Sequence, residues 1–213
     1  MNEIPDLNLF MVCDKLNLDA LSEMPAGYLV RTCRKEELDI WKAMHFDEPE
    51  TAAQYKGFMD DYFAKHYAAK GDLFFETCLF VCDDQDKPVA TCFSWKQYDL
   101  YTTIHWFKVI KPFEGKGIGR ALLSLVMRSL NDQDYPVYLH TQPSSYRAIK
   151  LYTDFGFAMI DLPIIDNRAN GLWESMDILK KYMPEEAYRQ IRIVTYDDQT
   201  GRFRPVPANL SAL

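Results

Sequence analysis

Between Thr102 and Ser129 the hydrophobic period changes once, and the change falls on a run of glycines. Thr102 to Ile110 is rich in β-branched and aromatic residues and reads as a strand. Ile118, Ala121, Leu122, Leu125, Val126 and Ser129 recur at helical spacing and mark an amphipathic helix. Between them lies Glu114-Gly115-Lys116-Gly117-Ile118-Gly119-Arg120. A strand that enters a glycine-rich turn and leaves as a helix aims backbone N–H groups, at the positive end of the helix dipole, at whatever sits before the turn, which suits an anion. Glycine lets a phosphate approach the backbone without a Cβ in the way, and Lys116 and Arg120 add cationic side chains. The run is not the dinucleotide G-x-G-x-x-G pattern, because Arg120 stands where the third glycine belongs, and it lacks the Walker A order. By itself the loop allows an anion site or a plain strand-to-helix turn.

The rest of the chain limits the partners. A net charge of −7 with no basic stripe argues against nucleic acid, whose phosphates must be neutralised. An acidic surface suits a cationic small molecule, although solubility alone accounts for it. The five cysteines, Cys13, Cys33, Cys78, Cys82 and Cys92, form no C-x-x-C pair and have no histidine at zinc spacing. They read as buried free thiols, which fits a reducing cytoplasm. No apolar run is long enough to span a membrane, and the acidic start around Glu3 and Asp6 is unlike a signal peptide.

Upstream, Tyr28 to Cys33 reads as a strand and Lys35 to Phe46 as a helix. Thr51 to Gln54 has the form of a capping box opening a second helix, with Tyr55, Phe58, Met59, Tyr62, Phe63 and His66 along one stripe and Gly71 at its end. Cys78 to Asp83, Pro88 to Tyr98 and Thr102 to Ile110 make an antiparallel meander on short connections. Cys78 and Cys82, as strand residues four apart, point to one face. After the glycine-loop helix come a strand at Val137 to Thr141, a helix capped by Ser144 or Ser145 and closed by Gly156, and a strand at Phe157 to Asp161. Helices over Leu172 to Tyr182 and Pro184 to Arg189, and a last strand at Ile191 to Tyr196, complete the reading. Residues 1–26 receive no element, and the Pro-containing tail from Arg202 is expected to be poorly ordered at its end.

Two motifs in this order resemble those of the GNAT superfamily of acyl-CoA N-acyltransferases. The family's phosphate-loop pattern, Gln/Arg-x-x-Gly-x-Gly/Ala, falls on Glu114, Gly117 and Gly119. Its later motif, Asn-x-x-Ala-x-x-Leu-Tyr-x-x-x-Gly-Phe, falls on Ser145, Ala148, Leu151, Tyr152, Gly156 and Phe157. The match departs at Glu114, a carboxylate expected to turn away from phosphates, and at Ser145, which replaces the usual Asn. The resemblance implies an α/β (α+β) fold with a mixed, mostly antiparallel central sheet, splayed between its fourth and fifth strands and flanked by helices. It divides the chain into an N-terminal extension (1–27), an acetyltransferase core (28–163) and a C-terminal part of helices and a last strand packing on the core (164–213).

The same resemblance implies acetyl-CoA as co-substrate, no metal, and transfer of the acetyl group to a primary amine by direct attack. Phe107, Val109 and Ile110 would offer backbone groups to pantetheine and thioester, and one backbone N–H there would hold the oxyanion. Gly115, Lys116, Gly117, Ile118, Gly119 and Arg120 would take the pyrophosphate, with Ser145 on the cofactor arm. Tyr152 matches the general acid that protonates the leaving thiolate, against a bland reading as a packed helix tyrosine. His105 matches a histidine of arylalkylamine acetyltransferases and is a candidate base, since imidazole titrates near neutrality. A buried sheet histidine, or a water chain to an acidic residue, competes with it. Trp95, Tyr98, Tyr101 and Trp106 are candidates for an aromatic wall, with Asp47, Glu48 and Glu50 near the acceptor. His45, His66 and His140 read as packed or structural. The acceptor would be a small-molecule or peptide amine, with neither nucleic acid nor membrane as partner, and homodimers are common in the family. The competing functions are a non-catalytic acyl-CoA-binding module, acting as sensor or assembly component, and a nucleotide-phosphate binder.

Overall fold

The computed structural model describes residues 4–206. In chain order its elements are β1 (Leu9–Cys13), β2 (Leu29–Thr32), α1 (Leu38–Met44), α2 (Pro49–Gln54), α3 (Lys56–His66), α4 (Leu73–Thr77), β3 (Leu79–Cys82), β4 (Pro88–Gln97), β5 (Tyr101–Val109), α5 (Ile118–Arg128), β6 (Val137–Thr141), α6 (Tyr146–Asp154), β7 (Ala158–Ile160), β8 (Ile164–Ile165), β9 (Arg168–Ala169), α7 (Leu172–Tyr182), α8 (Glu185–Arg189), β10 (Ile193–Asp197) and β11 (Arg202–Pro205). The fold is mixed α/β with largely antiparallel strands and flanking helices. Two compact units divide it: Leu21–Gln133, and Met1–Ala20 together with Asp134–Leu213.

Within Leu21–Gln133 the strands run in the order β5-β4-β3-β2, each antiparallel to the next. This is the expected meander, extended by β2. α5 buries Ile118, Ala121, Leu122, Leu123, Val126 and Met127, and packs on β4 and β5. A second core is built largely of rings: Trp41, Tyr67, Phe74, Phe80, Phe93 and Trp95, with Cys33, Cys78 and Cys82 among them. All five cysteines are free and buried. Cys78 ends α4 and β3 begins at Leu79, so the two four-apart thiols share a core without sharing a strand. The second helix begins at Pro49, not at Thr51, which lies inside α2. Proline at the first helical position has its φ preset and no N–H to satisfy. α2 ends at Gln54 and α3 follows after Tyr55, so the stripe spans two short helices.

In the other unit the strand order is β11-β10-β7-β1-β6. β1, in the stretch that received no element, pairs antiparallel with both β6 and β7. All five of its residues are buried, so it has no polar face and no alternation to read. β10 runs parallel to β7. The start of the tail is a strand, Arg202–Pro205 pairing antiparallel with β10 as β11, and its end, where poor order is expected, lies outside the described residues. β8 and β9 form a small hairpin on Asp166 and Asn167, both at positive φ (52° and 59°), as a two-residue turn of this hand requires.

Candidate active site

The glycine loop is a sequence of conformational demands. Lys111–Phe113 make a single tight turn after β5, closed by Phe113 N–H to the Ile110 carbonyl at 2.9 Å. Gly115 and Gly117 follow with φ of +74° and +83°, left-handed conformations that a side chain disfavours. Gly117 is the N-cap of α5, and no side chain caps the helix. Gly119 has a different reason. A Cβ there would lie 3.1 Å from Phe107 Cζ and 3.4 Å from Val109 Cγ2, so its absence lets the first turn of α5 sit on β5. Glu114 to Gly117 are exposed and Ile118 is buried. Lys116 Nζ stands 4.8 Å from the centre of the Phe113 ring. Ser22 to Pro25 run beside α5, with Ser22 N–H donating to Ser124 Oγ (3.0 Å) and Glu23 paired to Arg128 (2.8 Å). Sequence patterning gave no sign of this contact.

β5 carries the second feature. Thr91 pairs with Lys108 and Phe93 with His105, so Cys92 alone faces Trp106 and Phe107. This bulge places Trp106 at φ +51°, rare for a bulky residue. Neighbours in a regular strand point to opposite faces. Here His105 and Trp106 both reach the hydroxyl of Tyr67, His105 Nδ1 at 2.6 Å and Trp106 Nε1, which donates to it, at 2.9 Å. Tyr67 is wholly buried, just past the end of α3. It was not among the stripe residues, and no local pattern links it to His105. Ile110 N–H is already given to the Val89 carbonyl at 3.0 Å, so this backbone donor is not open to a cofactor.

The charge state of His105 differs from that of an ordinary imidazole. Burial, with His66 adding to it, pushes its pKa down to about 3. Burial and Lys108 do the same to His45, which packs between Trp41 and Trp106. The four aromatic residues do not form one wall. Trp95 is core, Trp106 is half-buried, and Tyr98 and Tyr101 are exposed at the β4–β5 turn. Asp47 is taken by Lys108 at 2.6 Å and Lys111 at 3.1 Å.

Ser145 and Tyr152 belong to the other unit, Tyr152 on α6 and Ser145 just before it. Ser145 occupies the N-cap position, but its side chain makes no capping bond. Tyr152 is buried, its ring 5.8 Å from that of Phe157. Gly156, at φ +100°, ends the helix where a Cβ would come within 2.7 Å of the Lys15 carbonyl. Asn17 satisfies the helix end, its backbone N–H donating to Phe155 (3.0 Å) and its Nδ2 to Asp154 (2.8 Å). The Phe155-Gly156-Phe157 signature thus reflects a left-handed helix stop under a crossing segment.

Similarity to known proteins bears on both halves. The model of the acetyltransferase (GNAT) family matches residues 39–157. An acetyltransferase from the GNAT family of Colwellia psychrerythraea has a similar fold, with a TM-score of 0.51 at 17% identity over 73% of this chain and 53% of that one. A GCN5-related N-acetyltransferase from Sphaerobacter thermophilus aligns with a TM-score of 0.44 at 20% identity over 68% of this chain and 47% of that one. Arabidopsis thaliana Naa50, in complex with the bisubstrate analogue CoA-Ac-MVNAL, aligns with a TM-score of 0.45 at 24% identity over 62% of this chain and 83% of that one. The chain spans about half the length of the first two of these proteins. No curated protein matches it. Among the described residues no helix is long and apolar enough to cross a membrane. With the family match running from α1 to the end of α6, over more than half of the sequence, the chain belongs to the acetyltransferase (GNAT) family.

Proposed function

We propose that this protein transfers the acetyl group of acetyl-CoA to a primary amine. The observation that carries the reading is the exposed loop at Gly115 and Gly117, two left-handed glycines delivering the chain into a helix that no side chain caps. Such a terminus directs backbone N–H groups and the positive end of the dipole at an anion. Gly115 to Arg120 are the pyrophosphate site in this reading, and β5 from Phe107 to Val109 lies along the pantetheine arm, with Ser145 as a further cofactor contact. The bulge interrupts the ladder at Trp106 and Phe107, and a backbone N–H there is the donor for the oxyanion.

The amine nitrogen attacks the thioester carbonyl. The tetrahedral intermediate collapses with cleavage of the C–S bond, and the thiolate takes the hydroxyl proton of Tyr152. The attacking nitrogen loses one proton to water and the Tyr152 phenolate takes one back from solvent, giving the amide, free CoA and the phenol restored. His105 is the second catalytic residue, on the acceptor side. With a pKa of about 3 it stays neutral. Taking a proton from an alkylammonium that titrates near 10 would cost on the order of 10 kcal/mol, so the amine arrives uncharged or gives its proton to water.

A thiol-release assay with acetyl-CoA and a panel of amines and peptides tests the reading. Tyr152→Phe should lower kcat by about 10²–10⁴-fold, and an equally fast variant excludes Tyr152 as the acid. The low basicity of His105 favours a second reading, a non-catalytic acyl-CoA-binding module. Tight CoA binding with no thiol release from any amine would select it.

A further inference from the structure

We infer that Tyr67 is a positioning residue, whose hydroxyl donates to Nδ1 of His105 and so fixes the imidazole proton on Nε2. The inference rests on the reading of His105 as a residue of the acceptor side. Two groups meet at the Tyr67 oxygen, Trp106 Nε1 at 2.9 Å and His105 Nδ1 at 2.6 Å, and the phenol ring of Tyr62 packs nearby with its centre 5.8 Å from that of Tyr67. The indole can only donate, so it fills one lone pair of the phenol. The hydroxyl proton then goes to the better acceptor within reach. Imidazole nitrogen is a far stronger base than a phenol oxygen, and phenol a better donor than imidazole N–H. The 2.6 Å separation is also short for N–H···O, whose usual range centres near ~2.9 Å.

Two properties of the surroundings keep this arrangement in place. Burial holds the Tyr67 hydroxyl protonated, well above its ordinary pKa. Burial and His66 hold the ring of His105 uncharged. The bulge at Trp106 is what allows it sterically, because it brings consecutive residues of β5 to one hydroxyl. With Nδ1 accepting from Tyr67, Nε2 bears the only proton of a neutral ring. His105 then acts as a hydrogen-bond donor, matched to an oxygen of the acceptor molecule or of the acetyl group, and not as the proton acceptor that its place in the family pattern implies.

The experiment is long-range ¹H–¹⁵N spectroscopy of the full chain labelled at its four histidines, with His105→Gln assigning the signals. The parent should show His105 protonated at Nε2 and bare at Nδ1. Tyr67→Phe should let the Nδ1–H form appear and lower kcat by up to about tenfold, the worth of one hydrogen bond, with KM for acetyl-CoA unchanged. A parent protonated at Nδ1, or parent and Tyr67→Phe with the same His105 signals, overturns the assignment. If Tyr67→Phe does not fold, the parent spectrum still decides. Absence of thiol release from the parent would sink the acetyltransferase reading while leaving the tautomer result standing.

Discussion

Two polar clusters within Leu21–Gln133 are made of opposite materials. On β2, at one end of the strand order, Arg31 holds Glu37 in a two-pronged fork (both contacts 2.7 Å) and reaches Asp86 with its third nitrogen, while Arg34 closes the ring onto Asp86. Glu37 also accepts the backbone N–H of Arg34 at 2.9 Å. On β5 the cluster of Tyr67, His105 and Trp106 contains no charge, and His45 beside it is neutral too. Both solve the problem of polar atoms largely out of water, Arg31 and Glu37 in the first and Tyr67 and His105 in the second, while Asp86 and Arg34 stay half-exposed at the rim. The first supplies a partner for every charge, so that its carboxylates stay ionised below their usual range. The second removes the charge. A strand assigned to a reaction gains from the second solution, because uncharged, hydrogen-bonded groups keep their positions without attracting water or counter-ions.

The charged cluster should break most severely. Arg31→Leu leaves Glu37, only 8% exposed, without its fork. Removing one member of a buried pair costs about 3 kcal/mol, because the other charge stays behind. Urea unfolding at pH 7 measures this, and thiol release per folded molecule should be unchanged. The double replacement Arg31→Leu with Glu37→Leu should recover part of the loss, since no orphan charge remains. A loss below about 1 kcal/mol in the single variant would mean that the fork is no stronger than a surface pair.

Acid separates the two clusters by window. His45 and His105, at about 3 when folded and near 6.5 when unfolded, bind fewer protons in the native state between those values. Their contribution is complete above pH 6.5 and is lost as pH falls toward 3. Glu37 and Asp86, depressed by Arg31, contribute above the ordinary carboxylate pKa and lose that only as pH falls further. The first acid loss of stability therefore belongs to the neutral cluster. Its limit is about 1.4 kcal/mol per pH unit for each histidine, or about 2 kcal/mol each between pH 7 and pH 5. His140 is shifted downward too, by desolvation and Arg168, but its side chain is exposed and its share is smaller. His45→Phe should flatten the drop by one histidine's share. Equal drops for parent and variant would show that His45 is not held neutral.

How much of this was legible depended on how local the cause is. The meander, α5, β6 and α7 follow from period and turn residues, and their limits hold to within a residue or two. The glycines of the loop and Gly156 were visible as glycines, but only the coordinates divide them into those that need positive φ and one, Gly119, that makes room for Phe107. β1 was missed because a short, wholly buried strand has no alternation. Thr51 misled because the local form of a capping box cannot compete with Pro49 two residues earlier. His105 and Tyr152 were found by motif, whereas Tyr67 was not, since its role comes from a contact across the chain made possible by a bulge. The assumption that His105 titrates near neutrality failed for the same reason: its pKa is set by what packs on it, which a strand pattern does not specify.

The smallest expected effect tests whether geometry or burial makes the Arg31 cluster strong. Asp47, like Asp86, is a carboxylate between two cations, Lys108 at 2.6 Å and Lys111 at 3.1 Å. Burial works against its charge, but the two lysines outweigh it and keep its pKa low. Its partners are single ammonium points rather than a planar fork, and Lys111 is 63% exposed. Water can therefore replace most of what Asp47→Asn removes. The cost should be about 0.5 kcal/mol, and raising the salt from 0.1 M to 1 M, which shortens the screening length to about 3 Å, should erase most of it. The same salt should leave the Arg31→Leu loss nearly unchanged, since Glu37 is shielded from ions by the fold itself. If both losses shrink together, the β2 cluster is a surface network in effect, and the contrast with the neutral cluster on β5 reduces to one of charge alone.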